Sequence, residues 1–327
     1  MLATAMVPVS GEVLTLYSHR HYKADDSLYK TFEERTGIEV QVVKAGADEL
    51  IERLKAEGEN TPADLLITSD AGRLVRAKQA GLLRAVESEY LRERIPSALR
   101  DPDNTWYGIT KRARIIVYSK ERVDPSSLTT YEALAEPEWR GRVLVRSSSN
   151  IYNQSLLASI IAARGEEAAK DWARGVRKNM ARPPQGGDRD QIFAVAAGLG
   201  DVALVNTYYV GLMVNSSDPR DRKAADAVSV YFPNQDGRGV HINVSGAAVL
   251  RASDQVDSAV RFLEYLASDE VQEIFPKATF EYPVVPSVEW SPLQKQWGKF
   301  NEDPLNLGIL GENNEKAVRI FNRAGWE

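Results

Sequence analysis

Apolar and polar residues alternate over residues 12–18 (Glu-Val-Leu-Thr-Leu-Tyr-Ser), the period of a half-buried strand, and the run ends in the polar stretch His19-Arg20-His21-Tyr22-Lys23. The spacing of Leu28, Tyr29 and Phe32 then predicts a helix capped by Asp25 or Asp26 and stopped by Gly37. Residues 38–43 form a second apolar-rich strand, 48–57 a helix, 64–68 a third strand, and about 70–80 a further helix. This β-α-β-α-β order predicts an α/β fold with a parallel sheet, whose ligands bind beyond the carboxyl ends of the strands, where His21 and Tyr22 fall.

The pattern changes at Trp106. Residues 106–110 and 114–118 read as two paired strands separated by Lys111-Arg112-Ala113-Arg114, able to carry the chain into a second lobe. A strand over 142–146 is followed by the polar start Ser147-Ser148-Ser149-Asn150-Ile151-Tyr152 of a helix over 155–163, with Tyr152 in its first turn. After a helix over 166–180, Asp188 and Gln191 form the pattern of a capping box for a helix over 192–197. The buried-strand run Val202-Ala203-Leu204-Val205 then ends in Asn206-Thr207-Tyr208-Tyr209. Strands over 228–232 and 239–250, an amphipathic helix over 255–268 and a terminal helix over 315–324 complete the chain, the second strand crossing back to the first lobe.

Adjacent strand residues face opposite ways, so Tyr208 and Tyr209 address one point only if the backbone turns into a helix there, with Thr207 as its cap. With 13 tyrosines among 327 residues, one such doublet arises by chance about half the time. Its weight comes from Tyr22 and Tyr152, which stand at equivalent strand ends and helix starts.

Composition narrows the chemistry. Cysteine is absent, which removes disulfides, thiolate metal sites and cysteine nucleophiles. A net charge of −5 without a long basic block argues against nucleic acid or an anionic membrane surface. The start, Met1-Leu2-Ala3-Thr4-Ala5-Met6, is too short and uncharged for a whole signal peptide, so export would require a signal outside this chain.

Four phenols opening on one cleft suit a hard, highly charged cation. Deprotonating each at neutral pH costs about 4 kcal/mol, which a trivalent ion offsets better than a divalent one, and ferric iron is the biological choice. Four phenolates around Fe(3+) leave one negative charge, which Arg112 or Arg114 would compensate; a solvated strand edge is the expectation for Arg114. His21 supplies either an imidazole ligand or a hydrogen bond behind the ligands. A copper or zinc site at His19 and His21 lacks a carboxylate or third histidine, and His241 falls within a strand pattern as a structural residue.

The stretches Tyr17-Ser18-His19-Arg20-His21-Tyr22, Thr110-Lys111-Arg112-Ala113-Arg114, Arg146-Ser147-Ser148-Ser149-Asn150-Ile151-Tyr152-Asn153-Gln154-Ser155, Asn206-Thr207-Tyr208-Tyr209 and Phe232-Pro233-Asn234-Gln235-Asp236-Gly237-Arg238-Gly239 resemble the ferric-iron-binding proteins of bacterial ABC importers, closest to the cyanobacterial FutA type. The resemblance runs from Gly11 to Trp326. It implies a type II periplasmic binding protein, with one lobe of residues 11–110 plus 239–281, a second of 111–238 plus 282–327, and a two-strand hinge. It also implies Fe(3+) ligands at Tyr22, Tyr152, Tyr208, Tyr209 and the variable position His21, with Arg112 behind them. The implied partner is an inner-membrane ABC permease, and the implied state a periplasmic monomer. Relatives often carry a basic residue after the tyrosine pair. Here the residues are Val210-Gly211-Leu212-Met213, which leaves more of the charge compensation to Arg112.

Two other readings compete. The same fold could hold an oxyanion or small organic solute at the serine-rich helix start. An enzyme using Tyr208 with Asp188 or Asp190 lacks a nucleophile-base constellation, and Gly237-Arg238-Gly239 reads as a tight turn rather than a phosphate loop.

Overall fold

The computed structural model describes residues 11–20 and 22–327. Strand β1 (Val13–Ser18) lies between β2 (Glu39–Lys44) and β3 (Leu65–Ser69), parallel to both, with helices α1 (Lys23–Thr36) and α2 (Ala47–Glu57) as the crossovers and α3 (Ala71–Gln79) leading on from β3. Leu65, Leu66 and Ile67 are buried on both faces of the sheet, which explains why this strand is continuously apolar rather than alternating. Gly37 ends α1 in the left-handed region, as its position after the last periodic residue predicts.

After a short helix α4 (Glu89–Arg94), the chain enters β4 (Tyr107–Ser119), a single strand of 13 residues. The two paired strands expected here are one. Lys111 and Arg112 resembled a turn because their partners are remote in sequence: Lys111 pairs with Glu302 at 2.6 Å, and Arg112 lies buried beside Ser245 and Glu281. Further on come β5 (Val143–Leu144), α5 (Ile151–Arg164), α6 (Glu166–Asn179), α7 (Asp188–Ala196), β6 (Val202–Asn206), α8 (Thr207–Val214), α9 (Pro219–Ala227) and β7 (Val228–Tyr231). Strand β8 (Ile242–Val249), helix α10 (Val256–Leu266) and β9 (Tyr282–Pro283) follow.

The sheet order is β2-β1-β3-β8-β4-β6-β5, with β7 and β9 also pairing β4. Through Ala113, β4 pairs antiparallel with β8; from Arg114 onward it pairs with β6 and β7. One strand thus belongs to two halves of the sheet, and β8 joins it to β3.

Several local expectations are corrected. Helix α1 starts at Lys23 with Tyr22 as its N-cap; Asp25 lies in the first turn, where Arg20 holds its carboxylate. Helix α5 begins at Ile151, four residues before its apolar run, because Asn150 caps it. The 142–146 strand is only Val143–Leu144. Helix α7 begins at Asp188 itself, and Asp190 accepts the Gly187 N–H at 2.6 Å, so Asp188 and Gln191 form no capping box. The N-cap of α8 is Asn206, since the Thr207 hydroxyl accepts the Ala113 N–H at 3.3 Å instead.

Candidate metal centre

Tyr22, Tyr152, Tyr208 and Tyr209 line one cavity of about 500 Å³, together with His19, Arg112, Arg146 and Glu281. Each phenol is placed by a helix start. Tyr22 is the N-cap of α1, Tyr152 the second residue of α5, and Tyr208 and Tyr209 the second and third of α8. Free backbone N–H groups and the positive end of the helix dipole gather at such positions and favour negative oxygen. The backbone does turn between Asn206 and Thr207, as a shared target for Tyr208 and Tyr209 requires.

The Tyr152 and Tyr208 hydroxyls are 3.3 Å apart. Two oxygens sharing a metal at bond lengths of about 2 Å stand roughly 3 Å apart. Tyr22 meets Tyr208 edge-on at 6.5 Å between ring centres, and the Tyr208 and Tyr209 rings lie 4.2 Å apart. No cluster of three or more His, Cys, Asp or Glu able to hold a metal exists among the described residues; the four phenols share the cavity wall with one carboxylate, Glu281. His21 lies outside the described residues.

Burial first, then Glu281, raises the Tyr22 pKa well above the usual 10. Tyr208 is raised likewise by burial and by the neighbouring phenols Tyr152, Tyr22 and Tyr209, while burial and Tyr152 push Tyr209 up to about 12. These three are therefore neutral phenols in the empty site at pH 7.

Cations stand ready behind them. Arg112 is buried with its guanidinium carbon 5.4 Å from the Tyr152 ring centre; Nη1 donates to Ser245 Oγ at 3.1 Å, and Nε and Nη2 have no protein partner. Burial opposes its charge, but Tyr152, Glu281, Tyr208 and Asp70 outweigh that and raise its pKa. Arg114 is not a solvated strand edge. It is buried and bound to Asp188 at 2.7 Å and Asn153 at 2.9 Å, because the second half of β4 is covered by α5 and α7. His19 Nδ1 bonds to Ser69 Oγ at 2.8 Å on the cavity wall, and His241 is buried near Arg238, Arg114 and Arg112.

Sequence reasoning missed Arg20 and Glu281. Arg20 grips Asp25 through Nε and Nη2 at 3.0 and 3.2 Å, donates to Glu281 at 2.9 Å, and sits 4.9 Å from the Tyr22 ring centre. The five-residue interval from Arg20 to Asp25 across a helix start was a readable signal. Glu281 had none, since its partners lie far back in the chain. Gly211 connects the two regions: a Cβ there would fall 2.5 Å from Phe280 Cβ, so only glycine lets α8 reach the backbone that carries Glu281.

A two-part sheet with a ligand cavity between its halves defines a binding-protein architecture, and residues 60–300 match the family model described as bacterial extracellular solute-binding protein. The chain belongs to that family. It is 50% identical over 319 residues to iron uptake protein A2 of Synechocystis, covering 97% of this chain and 91% of that one. It is 27% identical to the major ferric iron-binding protein of Neisseria meningitidis, covering 99% and 96%. Among solved structures, Trichodesmium FutA in complex with iron and citrate matches with a TM-score of 0.94 at 47% identity, over 96% of this chain and all of that one. The fold is accordingly the type II binding-protein fold, two α/β lobes around a cleft.

Proposed function

We propose that this chain is the substrate-binding protein of an ABC iron importer, which takes Fe(3+) into the cleft through Tyr22, Tyr152, Tyr208 and Tyr209 and delivers it to a membrane permease without catalytic turnover. The convergence of four phenols from three helix starts on one cavity, with two hydroxyls 3.3 Å apart, carries this reading. The names of the relatives support the same cargo. His21, next to Tyr22, is a further ligand candidate. Arg112 balances the negative charge left when four phenolates meet a trivalent ion.

The lobes are residues 11–110 with 239–281, and 111–238 with 282–327, hinged where β4 and β8 pass between them. The protein works as a periplasmic monomer and binds no nucleic acid; no helix among the described residues is long and apolar enough to cross a membrane. Loading with ferric iron tests the proposal. One iron per chain with a visible tyrosinate charge-transfer band is expected, and a colourless loaded protein refutes it.

A second reading has its own support. The cavity exceeds the space of a single ion, and Arg112 offers two unpaired nitrogens, so a small oxyanion or organic solute could be the cargo instead. Dialysis against anions without metal separates the two.

A further inference from the structure

We propose that Asp188 is a positioning residue that holds the three tyrosines of α5 and α8 as one unit and sets the positive charge behind Tyr152. The inference rests on the ferric reading above. Asp188 is fully buried, and its Oδ2 accepts from Arg114 Nη1 and from the Asn206 backbone N–H, both at 2.7 Å. Its Oδ1 accepts from Arg146 Nη1 at 3.2 Å.

These three donors are distributed over the site. Asn206 ends β6 and caps α8, yet its own side chain makes no cap bond, so the turn that aims Tyr208 and Tyr209 is held by Asp188. Arg114 and Arg146 both face the Tyr152 ring, at 5.9 and 5.7 Å from its centre. Arg114 also donates to Asn153 Oδ1 at 2.9 Å, and the Asn153 amide returns a bond to the Arg146 carbonyl at 2.9 Å, which fastens the residue after Tyr152. One carboxylate thus reaches the backbone under two phenols and two of the three guanidiniums beside a third, Arg112 at 5.4 Å from that ring being the other. It neutralises one of the two charges it binds and leaves the other for the loaded site.

A plain internal ion pair would stabilise the fold without altering the electronics of the bound metal. The two roles separate in the visible spectrum of the ferric-loaded protein. Positive charge over the Tyr152 ring lowers the energy of its donor electrons and moves the tyrosinate-to-iron band to shorter wavelength.

Arg146, on the rim with a side chain 21% exposed, gives the first arm. Arg146→Gln is expected to shift the band to longer wavelength, and Arg146→Lys, which keeps the charge, to restore it towards the parent position. Asp188→Asn releases Arg114 and Arg146 and is expected to shift the band the opposite way, to shorter wavelength. Combining Asp188→Asn with Arg146→Gln should bring it back. A band unmoved in Arg146→Gln, or an Asp188→Asn protein that only melts earlier with its band unchanged, overturns the proposal. If the parent protein gives no band on loading, the ferric reading itself falls and takes this assignment with it. Should Asp188→Asn fail to fold, the opposed outcomes of the Arg146 pair still decide.

Discussion

Ser155 Oγ donates to Asp70, lying 2.9 and 2.8 Å from its two carboxylate oxygens, and both residues are buried. Asp70 caps α3 with a positive φ of 102°, while Ser155 lies on α5 one turn beyond Tyr152. A non-glycine residue in that region costs about 1–3 kcal/mol, offset here by further donors from Gly72 N at 2.8 Å and Asn243 Nδ2 at 2.7 Å. On the lobe boundaries proposed above, this bond crosses from the first lobe to the second and fixes the helix that carries Tyr152.

Ser155→Ala should therefore act on both stability and cargo retention. Leaving a buried carboxylate short of a donor costs about 1–3 kcal/mol, to be read from denaturant unfolding of the empty protein. Iron transfer to a competing chelator should also accelerate, because the lobes lose a fixed bond. Unchanged release kinetics would confine the bond to folding.

Tyr208→Phe keeps the ring and removes the oxygen. Little change in the melting temperature of the empty protein is expected. Ferric affinity should fall by at least tenfold, each decade being about 1.4 kcal/mol, and the charge-transfer band should weaken. Competition titration against a chelator checks the affinity.

Ferric affinity should fall as pH drops. Burial raises Tyr22, Tyr208 and Tyr209 above the ordinary phenol range, so the empty site is protonated throughout the neutral region and each phenolate ligand formed releases a proton. Protons and iron then compete, and log affinity should rise by about one unit per pH unit for each phenol displaced. Proton release measured on loading in weak buffer gives the number directly.

His241 makes a separate pH prediction, for stability. Burial first, and then Arg238, Arg114 and Arg112, hold its pKa well below the usual 6.5. The unfolded chain takes up this proton as pH falls below about 6.5 while the folded protein does not, so the contribution is complete above that pH and declines beneath it. His241→Asn should flatten the slope of unfolding free energy between about pH 6.5 and 5 by up to ~1.4 kcal/mol per unit.

Gly211→Ala should displace α8 from Phe280, since the added Cβ would lie 2.5 Å from Phe280 Cβ. Overpacking of this kind costs about 1–3 kcal/mol. Because Glu281 follows Phe280, the contact between Arg20 and Glu281 should loosen as well. A lower melting temperature with weaker ferric binding is the expected pair of results.

The sequence made the phenols legible because short-range grammar places them. Each stands where an apolar run meets a helix start, and Asn150 and the 202–205 run mark those places within a few residues. The charged groups behind them were opaque, since their meaning depends on remote partners. Arg114 looked like a strand edge until Asp188 and Asn153 covered it, and Lys111 and Arg112 imitated a turn until Glu302 and Ser245 supplied their contacts. Thr207 misled for the same reason, because its hydroxyl serves Ala113 on another strand.

The position of β8 between β3 and β4 also bears on how the chain reaches this state. During synthesis β1, β2 and β3 emerge early, but β3 keeps an open edge until residues 242–249 follow. Contacts so distant in sequence close slowly. The first half must therefore wait for nearly the whole second half before its sheet is complete, and neither half is expected to mature when expressed alone.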